Sequence, residues 1–133
     1  MALILVVDDH KDTRDVLCTI LEEAGHEVLE AADGLEAVST YRQKRPDLIL
    51  LDIFMPHQDG IDTLVELRAE SGDVKVIAIS GGGSSGPLRL PPNSSALDPL
   101  DIARELGANM CLRKPLQISA LLDAVNRVLA DGA

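Results

Sequence analysis

The stretch LILLDIFMPHQDG, residues 48–60, decides how this chain is read. Leu48, Ile49, Leu50 and Leu51 form a continuous apolar run. The run is too short for an independent helix and reads as a strand buried on both faces. It ends on one carboxylate, Asp52. Met55-Pro56 then turns the chain, and Asp59-Gly60 opens a new element. A carboxylate at the exit of a buried strand is costly without a partner. Asp52 therefore requires a cation, a hydrogen-bond donor or a chemical task.

Outward from this stretch the pattern repeats. Residues 3–7 form an apolar strand that meets Asp8-Asp9. Val16, Leu17, Ile20, Leu21 and Ala24 recur at helical spacing, and Gly25 ends that helix. Residues 27–31 are a weaker strand. Asp33 and Glu36 give a capping-box-like start to a helix carrying Leu35, Ala37, Val38 and Tyr41, closed by Pro46. Beyond Gly60, a helix capped by Asp59 bears Ile61, Leu64, Val65 and Leu67. Residues 74–79 form a strand ending at Ser80. GGGSSGPLRLPPNSSAL, residues 81–97, is an extended loop rich in Gly, Pro and Ser. Asp98-Pro99 starts a short helix that Gly107 ends. Residues 109–112 form a fifth strand leading to Arg113-Lys114-Pro115. Ile118, Leu121, Leu122, Val125, Val128 and Leu129 mark a final amphipathic helix.

Five strands alternating with five helices predict an α/β fold, a doubly wound parallel sheet with helices on both faces. Right-handed crossovers limit the strand orders. In such sheets ligands bind beyond the carboxyl ends of the strands, where the order reverses. Four strands deliver polar groups there: Asp8 and Asp9, Asp52, Ser80 and Lys114. The second strand gives only Ala31-Ala32, which suits the outer position in the order 2-1-3-4-5.

Length and composition agree with this. The 133 residues suit one domain, 1–133, and 46% hydrophobic content supplies a core that is aliphatic, with one Phe and one Tyr. A net charge of −10 excludes a nucleic-acid footprint and disfavours an anionic membrane surface. Cys18 and Cys111 have no metal-ligand spacing and read as reduced thiols of a cytoplasmic protein. The first seven residues lack the basic region of a signal peptide, and no apolar stretch approaches the ~20 residues of a membrane span. No second domain is expected.

Three carboxylates converging on one rim repel each other, and a hard divalent cation relieves this. All-oxygen ligation suits Mg²⁺, with Mn²⁺ as the variant. A metal flanked by Lys114 and the Ser80 hydroxyl is what a phosphoryl group requires. Asp52 is the candidate acceptor, since carboxylates form aspartyl-phosphates. Each residue alone has a plainer reading. Asp8-Asp9 and Asp52 could be caps, Ser80 turn chemistry and Lys114 a solvated charge. Their joint placement at one sheet edge favours the site. His10 and His57 flank it without partner spacing and read as exposed loop residues.

Asp8-Asp9, Asp52, Met55-Pro56, Asp59-Gly60, Ser80 and Lys114-Pro115 together resemble the signature of the response-regulator receiver domain of two-component signalling. The resemblance spans nearly the whole chain and implies a flavodoxin-like fold. It implies that Asp52 takes a phosphoryl group from a phosphohistidine on a sensor histidine kinase or phosphotransfer protein. Asp9, Asp52 and the backbone carbonyl of Phe54 would bind Mg²⁺, with Asp8 acting through a water. Lys114 would pair with Asp52 or its phosphate, and Ser80, with Gly81 beside it, would turn towards the phosphoryl oxygens. Lys114-Pro115 is expected to be a cis peptide, and Pro56 and Gly60 to be structural. Such a protein is no enzyme beyond promoting its own phosphorylation and dephosphorylation. It would signal through a downstream protein target or serve as a phosphate sink.

Rival readings are weaker. Haloacid-dehalogenase-type phosphatases carry a second Asp two residues after the nucleophile, where this chain has Phe54. A flavin-binding protein would place a phosphate loop after strand one, where DDHKD repels anions. A degenerate receiver used only for docking is disfavoured by retention of every reactive position. Two departures from the family stand out. Ser80 and Lys114 are farther apart than usual because of the loop at 81–97, expected to be mobile and to order in part on phosphorylation. Cys111 replaces the aromatic commonly found three residues before the lysine, so that readout is altered.

Overall fold

The structure, a computed structural model, describes residues 2–53, 60–80, 103–114 and 116–130. Five strands, β1 (Leu3–Val7), β2 (Glu27–Ala31), β3 (Leu48–Asp52), β4 (Val76–Ser80) and β5 (Met110–Arg113), form one parallel sheet. Their order is β2-β1-β3-β4-β5, as the strand exits implied. Helices α1 (Lys11–Glu23), α2 (Gly34–Lys44), α3 (Gly60–Glu70) and the C-terminal α4 (Ile118–Ala130) cover it. None of the described helices is long and apolar enough to cross a membrane.

Strand side chains alternate between faces, and the two cores follow that parity. Leu5, Val7, Ile49, Leu51 and Ala78 pack with Tyr41 of α2 and Leu64 and Leu67 of α3. Ile4, Val6, Leu48, Leu50 and Ile77 pack with Leu17 and Leu21 of α1 and Leu121 and Val125 of α4. β3 and β4 are buried along their whole length, which is why they read as unbroken apolar runs.

Helix ends follow local chemistry. The Asp33 side chain accepts a hydrogen bond from the Glu36 amide at 2.8 Å, capping α2. α2 closes on Arg45 in the left-handed region (φ 48°), before Pro46. Gly25 takes φ 95° after α1. Some expected apolar contacts are absent: Val16, Leu35, Val65 and Ile118 are exposed, off the stripes that face the sheet. β4 begins at Val76, two residues later than the apolar run. The Val74 carbonyl is instead taken by the Arg68 guanidinium. Residues 103–105 are helical, ahead of Gly107. The expected start of that helix at Asp98-Pro99 and the loop at 81–97 lie outside the described residues.

Candidate functional site

The register brings the strand exits level. Val7 pairs with Leu51, and Asp52 pairs with Ile79. Asp8 and Asp52 are therefore the next residues on neighbouring strands. Asp8 continues the parity of Ile4 and Val6, Asp52 that of Leu48 and Leu50, and Lys114 that of Met110 and Leu112. All three lie on one face of the sheet. Ser80 ends β4 opposite Arg113, and its carbonyl accepts the Lys114 amide at 2.8 Å.

Asp8, Asp52 and Ser80 are each at most 3% exposed. Burying two carboxylates demands a counter-charge, and Lys114 provides it. Its Nζ lies 3.2 Å from Asp8 Oδ2 and 3.5 Å from Asp52 Oδ2. Burial pushes the Lys114 ammonium down, but Asp52 and Asp8 outweigh it and hold its pKa above the ordinary value.

Asp8 is fixed at both ends. Its Oδ1 accepts the His10 amide at 2.9 Å, and its carbonyl accepts Arg14 Nη1 at 2.7 Å. Arg14 also donates from Nε to Glu30 of β2 at 3.1 Å. No spacing in the sequence singles out Arg14, since its two acceptors sit on different strands. Asp9 is partly buried, and its Oδ1 accepts no hydrogen bond among the described residues. A buried carboxylate oxygen without a hydrogen bond, grouped with the Asp8 carboxylate, is chemically suited to a divalent cation.

Gly60 opens α3 against the exit of β3. A Cβ there would meet the Ile53 Cα and the Asp52 carbonyl, so only glycine admits this approach. Cys111 is partly buried against the core shared with α2 and α3. His10, read as a loop residue, is indeed exposed, yet its ring stands over Asp8 and Asp9. Phe54, Pro56, Gly81 and Pro115 lie outside the described residues, as does His57.

Comparisons with known proteins agree with this geometry. The chain is 32% identical to sporulation initiation phosphotransferase F of Bacillus subtilis over 126 residues, covering 95% of this chain and 92% of that protein. It is 33% identical to chemotaxis protein CheY of Listeria monocytogenes, covering 96% and 98%. A solved receiver domain from Clostridium thermocellum superposes with a TM-score of 0.85 at 28% identity, covering 98% of this chain and 96% of that one. Residues 4–88 match the response regulator receiver domain family. With its sheet order and length also those of its CheY-like relatives, the chain belongs to the response regulator receiver domain family.

Proposed function

We propose that this chain is a phosphoacceptor in which Asp52 takes a phosphoryl group from a phosphohistidine of a sensor kinase or phosphotransfer protein. The observation that carries this reading is the single ammonium of Lys114 shared by Asp8 and Asp52 at the strand exits. In the step, an Asp52 oxygen forms a bond to phosphorus while the bond from phosphorus to the donor imidazole nitrogen breaks. The leaving imidazole takes up a proton from solvent. Lys114 follows the negative charge onto the phosphoryl oxygens, and the Ser80 hydroxyl donates to one of them.

Asp9 and Asp52, with the Phe54 carbonyl, would hold Mg²⁺ or Mn²⁺, and Asp8 would act through a water. Bound there, the ion offsets the repulsion between the carboxylates and the incoming oxygens. The unsatisfied Asp9 Oδ1 supports that assignment. The protein works in the cytoplasm, modifies only itself, and passes the signal on through a protein target or drains phosphoryl groups as a sink.

Labelling by acetyl phosphate with Mg²⁺ tests this reading. The wild type is expected to gain one phosphoryl group, and Asp52→Asn none while remaining folded. Undiminished labelling of Asp52→Asn would overturn it.

A further inference from the structure

We infer that Arg14 is a positioning residue of this site: it fixes the peptide unit joining Asp8 to Asp9, and Glu30 of the outermost strand holds it in place. The inference rests on the reading above that the rim holds a divalent cation beside Asp52. It adds a residue that acts through Asp8 and Asp9 alone.

β1 runs out of sheet at this point. Val7 and Ala31 are the last pair of the β1–β2 register. The Asp8 amide still donates to the Ala31 carbonyl at 3.2 Å. The Asp8 carbonyl accepts Arg14 Nη1 at 2.7 Å, so a guanidinium stands where the ladder would supply an amide. Such a charge-assisted bond is stronger than the backbone bond it replaces.

Arg14 is itself constrained. Its side chain is 14% exposed. Its Nε donates to Glu30 Oε1 at 3.1 Å, and its amide donates to the His10 carbonyl at 3.1 Å. Two bonds from one planar guanidinium fix both its position and its tilt. β2 delivers no polar group at its exit, yet it reaches the rim through Glu30.

The contacts run unbroken to the acceptor. Asp8 Oδ2 meets Lys114 Nζ, which also pairs with Asp52. If the peptide unit were released, it could turn, carrying Asp9 away from the ion and Asp8 away from Lys114. The sign of the effect separates positioning from charge. A cation acting by charge alone repels a metal ion, so its removal would tighten metal binding. A role in stability alone would lower the unfolding midpoint and leave the affinity of the folded protein unchanged.

The test uses the full chain, stripped of metal, with no phosphodonor. Calorimetric titrations with Mg²⁺ compare wild type with Arg14→Gln, Arg14→Lys, Glu30→Ala and Arg42→Gln, in conditions where urea unfolding shows each to be folded. Arg14→Gln is expected to weaken Mg²⁺ binding about tenfold. Arg14→Lys is expected to weaken it about as much, because it keeps the charge but has one nitrogen for two acceptors. Glu30→Ala is expected to weaken it about twofold to threefold. Arg42→Gln, which removes the same charge from an exposed pair with Glu70 on α2 and α3, is expected to match wild type. Wild-type or tighter Mg²⁺ affinity in Arg14→Gln, or full rescue by Arg14→Lys, overturns the inference. If wild type binds Mg²⁺ and labels with acetyl phosphate in that case, the phosphoacceptor reading stands without it. A wild type that binds no Mg²⁺ would strike both.

Discussion

Lys114 and Asp8 are 106 residues apart in the chain, and Lys114 Nζ lies 3.2 Å from Asp8 Oδ2. With Asp52 at 3.5 Å, this ammonium bridges β1 and β3 from the end of β5. In metal-free buffer, Lys114→Met is expected to cost about 1–3 kcal/mol, because it leaves two buried carboxylates uncompensated. The Lys114 pKa is raised from its ordinary value of 10.5 in the folded protein. Its contribution is therefore complete below 10.5 and fades as pH rises through the folded value. Urea unfolding of both proteins, at neutral and alkaline pH, checks the cost and its disappearance.

Asp9→Ala is expected to stabilise the metal-free protein by about 0.5–1 kcal/mol. It removes a carboxylate whose buried oxygen has no hydrogen bond and whose neighbours share its sign. Added Mg²⁺ is expected to raise the unfolding midpoint of wild type and leave that of Asp9→Ala unchanged. Thermal unfolding with and without Mg²⁺ measures both.

Gly60→Ala is expected to destabilise by about 2–4 kcal/mol, since the added methyl meets backbone at Ile53 and Asp52 rather than a side chain able to move. Labelling at Asp52 should slow as well, because relief of the clash shifts the strand exit. Denaturant midpoints and the rate of acetyl-phosphate labelling report the two effects separately.

Arg68→Ala tests the far end of the sheet. The Arg68 guanidinium donates to the carbonyls of Gly72, Val74 and Gly107 and to Asn109 Oδ1. Its removal is expected to cost about 2–3 kcal/mol in lost charge-assisted hydrogen bonds. Labelling of Asp52 should remain at the wild-type rate under conditions where the variant is fully folded.

Cys18 is expected to resist thiol reagents at neutral pH. Burial, followed by Glu30, Glu22 and Asp15, pushes its thiol up to about 11, so the reactive thiolate is scarce in the folded state. Modification by a chromogenic disulfide in native buffer and in urea, read by mass spectrometry, should show Cys18 reacting only on unfolding.

The sheet was legible because its strands end abruptly. An apolar run that stops on Asp8, Asp52 or Ser80 announces both a buried strand and its exit, and burial on both faces leaves little ambiguity of type. The strand order followed from which exit was silent. Contacts made by long side chains across the fold were not legible. Arg14 reaches Asp8 and Glu30, and Arg68 reaches Gly107, only because tertiary packing aligns them. The approach of His10 to Asp9 was not legible either, since spacing says nothing of how adjacent side chains turn. Val16 and Leu35 fit helical spacing yet face solvent, because spacing gives periodicity but not the width of the buried stripe.

The Arg68 staple gives the β4–β5 ribbon unequal ends. Asn109 Oδ1 accepts both Arg68 and the Val76 amide, so directional bonds lock the lower margin. At the upper margin, the Lys114 amide bonds to the Ser80 carbonyl, and its ammonium donates to Asp8 and pairs with Asp52. The ribbon is thus pinned by a cation at each end, Arg68 spanning four acceptors at the base and Lys114 spanning two carboxylates at the tip. A charge added at Asp52 would compete for the tip's one cation and leave the four bonds of the base untouched.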